Sequence, residues 1–317
     1  MHLDVMSMSA RQGISFVLPV KNEARRLEDA VSSIESQTGL RNFEMVLAVA
    51  PSSDGTEAIA TRLAGSSSKI KAIRNHLSDT ASGLNAAIKE SKFDIVIRVD
   101  AHSKLSRGYA ALAQQILRET GAANVGGRMV AAGENAFQKA VARAYNNRIG
   151  LGGGAFHVGG QAGPADSVYL GCFQKSWLDR VGGFDPKWVR GQDWELNKRI
   201  REAGGLVWFD PRLEVTYYPR DNWKALAKQF FNTGIWRGAL TREAPTQAAL
   251  RYWIPPLLVL STIFWLPLWL YLIAIGFVAV GATELSWRSR LWLMVVLPTM
   301  HFSWGLGFWI GLVRGAK

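Results

Sequence analysis

Two kinds of apolar block alternate along the first half of the chain. Ile14 to Val20, Phe43 to Val49, Ile70 to Ile73 and Phe93 to Val99 are short, nearly continuous apolar runs, the pattern of buried strands. Between them, Asn22 to Ser36 carries Leu27, Val31 and Ile34 at helical spacing, and Asp54 to Leu63 and Ser82 to Lys89 also read as helices, with Asp54 placed to cap the first of these two. Four strands separated by helices predict an α/β fold with a mainly parallel sheet covered on both faces. Ligands of such sheets bind beyond the carboxyl ends of the strands. Three polar clusters fall there: Pro19-Val20-Lys21-Asn22-Glu23, Ala50-Pro51-Ser52-Ser53-Asp54 and Asp100-Ala101-His102.

Further along, Tyr109 to Glu119 predicts a helix and Asn124 to Val130 a strand. The glycine-rich stretch Gly150 to Gly163 reads equally as a flexible linker or a substrate lid, and not as a dinucleotide fingerprint, because no strand closely precedes it. Asp166 to Phe173 predicts a strand, Gly191-Gln192-Asp193 leads into a helix over Trp194 to Ala203, and Lys224 to Trp236 predicts an amphipathic helix approaching a membrane. Two long apolar runs then follow, Trp253 to Ala282 and Leu291 to Val313. Each exceeds the roughly 20 residues that span a bilayer. Pro255, Pro256 and Pro267 can divide the first into a kinked helix or a short hairpin. Seven of the 13 Trp lie from Trp253 onward, as in an interfacial aromatic belt. The expected organisation is a cytosolic domain over 1–237 and a membrane segment over 238–317 with about two transmembrane helices, 253–282 and 291–313.

Charge adds to this picture. The chain has 317 residues with 37 Lys+Arg against 25 Asp+Glu, a net charge of +12 that suits an anionic membrane surface or anionic ligands. No basic block or zinc-finger spacing accompanies it, which excludes nucleic acid as a partner. Arg237, Arg242 and Arg251 before the first run and Arg314 and Lys317 after the second favour cytosolic ends, while Arg288 and Arg290 between the runs oppose this. Met1 to Gly13 lacks the apolar core of a signal peptide, so the first half of the chain is expected on the cytosolic side of the cell membrane. The single cysteine, Cys172, permits no intrachain disulfide.

Candidate chemistry gathers at two places. Asp100 and His102 stand at i and i+2, so in extended backbone both face one side. A carboxylate and a neutral imidazole so placed can share a divalent cation, Mg²⁺ or Mn²⁺, against a diphosphate. Alternatively, Asp100 caps a helix and His102 is a solvated loop residue. Asp193, at a helix start, is either an N-terminal cap or a general base, and one residue can be both.

The ordered segments "FVLPVKNE", "PSSDGT", "GLNAAI", "IRVDAHS", "GGFDP" and "GQDWELNKRIREAGG" resemble the family 2 inverting glycosyltransferases of GT-A fold over about residues 13–237, in particular the membrane-associated enzymes of bacterial exopolysaccharide and succinoglycan synthesis. The resemblance implies a Rossmann-like core and a nucleotide-sugar donor. It implies that Pro19, Val20, Asn22 and Glu23 line the nucleotide, that Asp54 closes the second nucleotide loop, and that Gly83 and Asn85 follow the base and ribose. Asp100 and His102 match the metal motif, with His in its second place; Asp100 also borders the donor, as does Arg128 at the sugar. Asp193 is implied as catalytic base, with Gln192 and Trp194 beside the acceptor, expected to be a lipid-linked saccharide. The sequence departs from the family in two respects. Val49 and Ala50 stand where an Asp usually reads uracil, and Gln192 replaces the usual Glu. Gln229 and Trp236-Arg237 resemble the processive Gln-x-x-Arg-Trp motif only loosely, at the wrong spacing. The alternative class is a non-catalytic membrane scaffold or sensor on the same fold.

Overall fold

The computed structural model describes residues 13–243, 245 and 249–315. Residues 1–12 and Lys317, which bore on compartment and orientation, lie outside the described residues. In chain order the elements are β1 (Ile14–Val20), α1 (Leu27–Glu35), β2 (Phe43–Val49), α2 (Thr56–Ser66), β3 (Ile70–Arg74), α3 (Thr80–Lys89), β4 (Ile95–Arg98), β5 (Ser103–Leu105), α4 (Tyr109–Thr120) and β6 (Asn124–Ala131). Next come α5 (Ala136–Tyr145), α6 (Arg148–Leu151), α7 (Ala155–Val158), β7 (Gly163–Pro164), β8 (Tyr169–Gln174), α8 (Lys175–Val181), α9 (Gln192–Glu202) and β9 (Val207–Tyr217). The chain ends in α10 (Trp223–Glu243), a 3₁₀ turn at Leu250–Tyr252, α11 (Ile254–Ser261), α12 (Trp265–Gly281) and α13 (Trp287–Arg314). It divides into two compact units, Met1–Met129 with Gly159–Tyr217, and Val130–Val158 with Tyr218–Lys317.

The first unit is built on one sheet of order β3-β2-β1-β4-β8-β6-β9-β5, with β7 paired to β9. The strands read from the first apolar runs, β1 to β4, pair in parallel, with Ile14 opposite both Phe43 and Ile95. The later strands do not continue this pattern. β8 runs antiparallel to β4 and to β6, and β9 antiparallel to β5 and to β7, so the sheet is mixed. A parallel neighbour needs a crossover of a dozen or more residues. β4 instead feeds β5 through a turn of four residues, and the two end in different places in the sheet. Apolar periodicity finds strands, but the direction of each is set by its connections.

Burial follows the sequence pattern. Phe16 and Leu18 of β1 and Met45 and Leu47 of β2 are fully buried, and α1 covers them with Leu27, Ala30, Val31 and Ile34. Each such side chain contributes about 1.5–3 kcal/mol through removal from water. α1 begins at Leu27, later than the expected Asn22, because residues 21–26 turn rather than coil. α3 is capped by Asp79, whose carboxylate accepts from Ser82 N at 2.8 Å.

The second unit is helical. α5 opens with a capping box, Asn135 accepting from Gln138 N while Gln138 reaches back to the Asn135 amide. The glycine-rich stretch holds two single-turn helices, α6 and α7. The first apolar run divides at residues 262–264 into α11 and α12. Among the described residues, one helix, α13 at 28 residues, is long and apolar enough to cross a membrane by length and composition; α12 is shorter, at 17. The expected amphipathic helix runs further, as α10, and lies against α13. Glycines make that approach possible: a Cβ on Gly234 would stand 2.2 Å from Trp304 O, and one on Gly311 only 1.9 Å from Ile235 O. Gly234 and Gly238 face Gly307 and Gly311 in the small-residue spacing that lets helix backbones touch. The outward faces of α12 and α13 are strongly apolar, with Trp265 80% and Phe277 74% exposed.

Candidate active site

β4 carries the centre of the site. Ile97 and Val99 point into the core, so the intervening Arg98 and the following Asp100 emerge on the other side. Arg98 is buried, its side chain 7% exposed. Its Nε and Nη2 donate to Asp100 Oδ1 at 3.1 and 2.9 Å, and its Nη1 donates to Asp193 Oδ1. The ring of Phe184 lies beneath the guanidinium at 5.8 Å. Asp193 sits in the first turn of α9, behind Gly191, which takes the N-cap position with no side-chain cap bond. Its carboxylate accepts from Arg98.

One guanidinium thus serves two carboxylates unequally. Burial pushes Asp100 up, but two hydrogen bonds from Arg98 and the nearby His102 outweigh it and hold the carboxyl below its usual range. Asp193 has the reverse balance. Burial raises it, Arg98 lowers it through a single bond, and the charge of Asp100 raises it again, leaving it at about 6. Two carboxyls with separated proton affinities at one cation are the pattern expected where one must stay charged and the other must exchange a proton.

His102 completes the strand end. Its Nδ1 lies 2.8 Å from Glu23 Oε1, and its ring stands edge-on to Tyr217 at 5.5 Å. Glu23 accepts from Nδ1–H, a bond that leaves Nε2 as the acceptor nitrogen whenever the ring is neutral. Asp100 does not cap a helix, since β5 follows it, and His102 is not merely solvated. Tyr169 Oη is 3.2 Å from Ser103 Oγ, and burial, reinforced by Asp100, holds the phenol well above its ordinary range.

A cleft of about 150 Å³ opens at these strand ends, lined by Pro19, Val20, Glu23, Ala50, Asn75 and Asp79 on one side and by Arg98, Asp100 and His102 on the other. A larger cavity of about 500 Å³ lies at the opposite, amino-terminal edge, against Gly13, Asn42 and Asp94, and contains none of the candidate residues. The donor set of the cleft fits a divalent cation: an ionised carboxylate and an oriented imidazole. Among the described residues no group of three His, Cys, Asp or Glu could hold a metal ion.

The remaining candidates do not line the cleft. Asn22 sits at φ +53°, a left-handed conformation held by its amide donating to Ser52 Oγ at 3.0 Å and its Oδ1 accepting from Ser53 N at 2.9 Å. Asp54 accepts from Ala24 N at 3.0 Å and from Thr56 Oγ1 at 2.5 Å; Gly55, not Asp54, is the N-cap of α2. Both residues tie the first polar loop to the second. Gly83 leaves space for Asn75, whose Nδ2 would stand 2.7 Å from a Cβ there. Asn85 exchanges two hydrogen bonds with the Phe184 backbone, at 2.7 and 2.8 Å, and so holds the Gly182–Phe184 turn under Arg98. Arg128 pairs with Glu214 at 3.4 Å and keeps a buried Nε without a hydrogen-bond partner. Gln192 donates to Val189 O at 2.9 Å, and Lys198 lies over the Trp194 ring at 5.9 Å. Sequence reasoning missed Arg98, Tyr169 and Tyr217. The one available signal was a lone charge, Arg98, inside the apolar run Ile95 to Val99.

Residues 15–181, a little over half the chain, match the family model described as glycosyl transferase family 2. A curated relative, the succinoglycan biosynthesis protein ExoA of Rhizobium meliloti (strain 1021), is 28% identical over 92% of this chain and 93% of its own. A second, the dolichyl N-acetyl-alpha-D-glucosaminyl phosphate 3-beta-D-2,3-diacetamido-2,3-dideoxy-beta-D-glucuronosyltransferase of Methanococcus voltae, is 23% identical over 95% of this chain and 98% of its own. Among solved structures, S. aureus TarS 1–349 in complex with UDP-GlcNAc aligns at 13% identity with a TM-score of 0.53, covering 69% of this chain and 66% of that one. GalNAc-T7 with UDP, GalNAc and Mn²⁺ aligns at 14% identity and 0.50, covering 66% and 44%. The chain spans less than two thirds of these two solved structures, and the likeness to them is one of fold, that of the GT-A enzymes.

Proposed function

The chain belongs to glycosyl transferase family 2, and from that premise we propose that it is a metal-dependent, inverting enzyme that moves a sugar from a nucleotide-sugar donor to a lipid-linked saccharide acceptor in cell-surface polysaccharide synthesis. The observation that carries this reading is the bridge Asp100–Arg98–Asp193 at the edge of a cleft shared with Glu23 and His102. The donor lies across the strand ends, its diphosphate toward Asp100 and His102. These two residues would hold a divalent cation, which when bound neutralises charge on the departing nucleoside diphosphate. Asp193, deprotonated, takes the proton of an acceptor hydroxyl; that oxygen attacks the anomeric carbon opposite the leaving group and configuration inverts. Arg98 holds the base in place and keeps Asp100 charged. Asn22 and Asp54 fix the loops on which the nucleotide rests, and Gln192, Trp194 and Arg128 border the sugar and acceptor.

In this reading residues 1–237 form the cytosolic catalytic domain and residues 238–317 hold it at the cell membrane. The length of α13 and the apolar outer faces of α12 and α13 support that arrangement, since patches of this size are unfavourable in water. The test is release of nucleoside diphosphate from a panel of sugar donors, with native membrane lipid as acceptor, with and without EDTA. Release that is lost on chelation is the expected outcome. Asp193→Asn should still bind donor and transfer nothing, and persistent transfer by this variant removes Asp193 from the base role. Donor binding with no turnover under any of these conditions makes the chain a scaffold on the same fold.

A further inference from the structure

The helical unit contains a cavity of its own, about 340 Å³, lined by none of the candidate residues of the cleft. Arg148 and Arg251 line it together with Tyr252, His301 and Trp304; the rest of its wall is largely apolar, as at Leu258, and no Asp or Glu borders it. Arg251 donates to the Tyr252 hydroxyl at 3.1 Å and lies 4.9 Å from the centre of that ring, both neutral partners. The Trp304 indole N–H is buried without a hydrogen-bond acceptor, although buried indoles ordinarily find one. The rim is pinned: His301 Nε2 donates to Ile149 O at 2.9 Å while its Nδ1 accepts from Tyr271 Oη at 2.9 Å, fixing the segment of Arg148 against α12 and α13. Next to it the chain presents Leu250, 82% exposed, and Ile254, 63% exposed.

A half-apolar cavity with two guanidinium groups, an orphan donor and no acid matches one ligand chemistry, an anion attached to a hydrocarbon chain. We propose that it receives the phosphate or diphosphate head of a long-chain membrane lipid. Arg148, Arg251 and the Trp304 N–H meet the phosphate oxygens, and the apolar wall takes the first carbons of the chain. Guanidinium is the side-chain group best shaped for phosphate, and the volume lies within the range of small-ligand sites, roughly 300–1,000 Å³. The inference deepens the transferase reading by naming the class of lipid, and its test needs no turnover.

Full-length protein in detergent micelles is titrated with a polyprenyl phosphate, with phosphatidylglycerol and with phosphatidylcholine, following tryptophan fluorescence. Saturable binding of a phosphate-headed lipid is expected, weakened roughly 10-fold or more in Arg148→Gln/Arg251→Gln by loss of charge-assisted bonds. Leu258→Trp, which fills the cavity and keeps both charges, should weaken it as well, with thermal melting confirming that each variant is folded. Tighter binding of the polyprenyl phosphate makes the acceptor the source of the ligand; equal or tighter binding of phosphatidylglycerol makes it a bilayer lipid, and both outcomes support the site. Equal affinity for phosphatidylcholine, or binding that both variants leave unchanged, overturns it. If no donor is turned over yet this binding persists, the transferase reading falls and the cavity stands.

Discussion

Replacing Arg98 by Met tests the electrostatic core of the site. Methionine nearly matches the volume and keeps the packing on Phe184, but removes the guanidinium that bonds both Asp100 and Asp193. Two carboxylates then share a buried place without the guanidinium that bonds them both. Breaking a buried pair in this way costs about 3–5 kcal/mol, part of which the protein recovers by protonating Asp193. The wild-type carboxyl stands at about 6 because the guanidinium offsets some of the effect of burial. Without it the group rises further. A general base works only when deprotonated, so wild-type transfer should climb as pH rises through about 6. In Arg98→Met the same limb should move to higher pH, with little activity at pH 6 and partial recovery at pH 8. The assay is kcat for nucleoside diphosphate release against pH, in the full-length protein, beside its melting temperature. A double cycle with Asp193→Asn isolates the bridge: the stability cost of Arg98→Met should shrink once Asp193 is neutral. An acid limb that stays at the wild-type pH, or stability costs that simply add, would show that Arg98 and Asp193 are not coupled and refute the account of the site.

Glu23→Gln removes the carboxylate that orients His102, so the cation concentration needed for half-maximal activity should rise about 10–100-fold, with kcat recovered at saturating metal; an unchanged requirement takes His102 out of the metal site. Asn85→Ala leaves the Phe184 backbone donor and acceptor without partners, about 1–3 kcal/mol for each, so melting should fall while donor affinity changes little; a large loss of donor affinity at constant stability would instead make Asn85 a nucleotide contact. Gly311→Val places side-chain carbon where the Ile235 carbonyl lies, 1.9 Å away, so α10 and α13 must separate and detergent-solubilised protein should melt earlier. The control, Gly276→Ala on α12, meets nothing within 4 Å and should be neutral or stabilising, as helix propensity favours Ala by roughly 1 kcal/mol.

The first half of the fold was legible because β1, β2 and β4 are buried along nearly their whole length. An apolar run such as Phe43 to Val49 has no other stable place, and β1 to β4 accordingly appear where the pattern puts them. Direction was less legible. β8 carries the same kind of apolar run but pairs antiparallel, and nothing in Tyr169 to Gln174 itself distinguishes the two cases. Pairing is decided by where the chain re-enters the sheet, and here Val130 to Val158 belongs to the other unit before β7 and β8 begin. The membrane-like end shows the complementary difficulty. Hydropathy marked residues 253–282 as one run, yet the backbone breaks at 262–264, and the backbone-to-backbone contact of α10 with α13 rests on glycines, which leave no hydrophobic signal.

The site itself was half legible, for a physical reason. Residues that line the cleft, such as Glu23, Asp100 and His102, lie at strand ends, where polar character interrupts an apolar pattern and is conspicuous. Residues that organise those groups lie one layer deeper and look like something else. Asn85 resembles an ordinary helix polar group but clamps the turn beneath Arg98. Arg98 sits within an apolar strand, where a buried charge is unfavourable unless paired. That cost is itself the argument for its role. A guanidinium placed there requires at least one carboxylate within reach, and Asp100, two residues on and on the same face, supplies it. One carboxylate would satisfy the charge, but the guanidinium also reaches across the fold to Asp193 on α9. The second bond brings a carboxyl from residue 193 to the strand end that carries Asp100, and it is the unequal sharing of one cation that leaves the first acid charged and the second near neutrality.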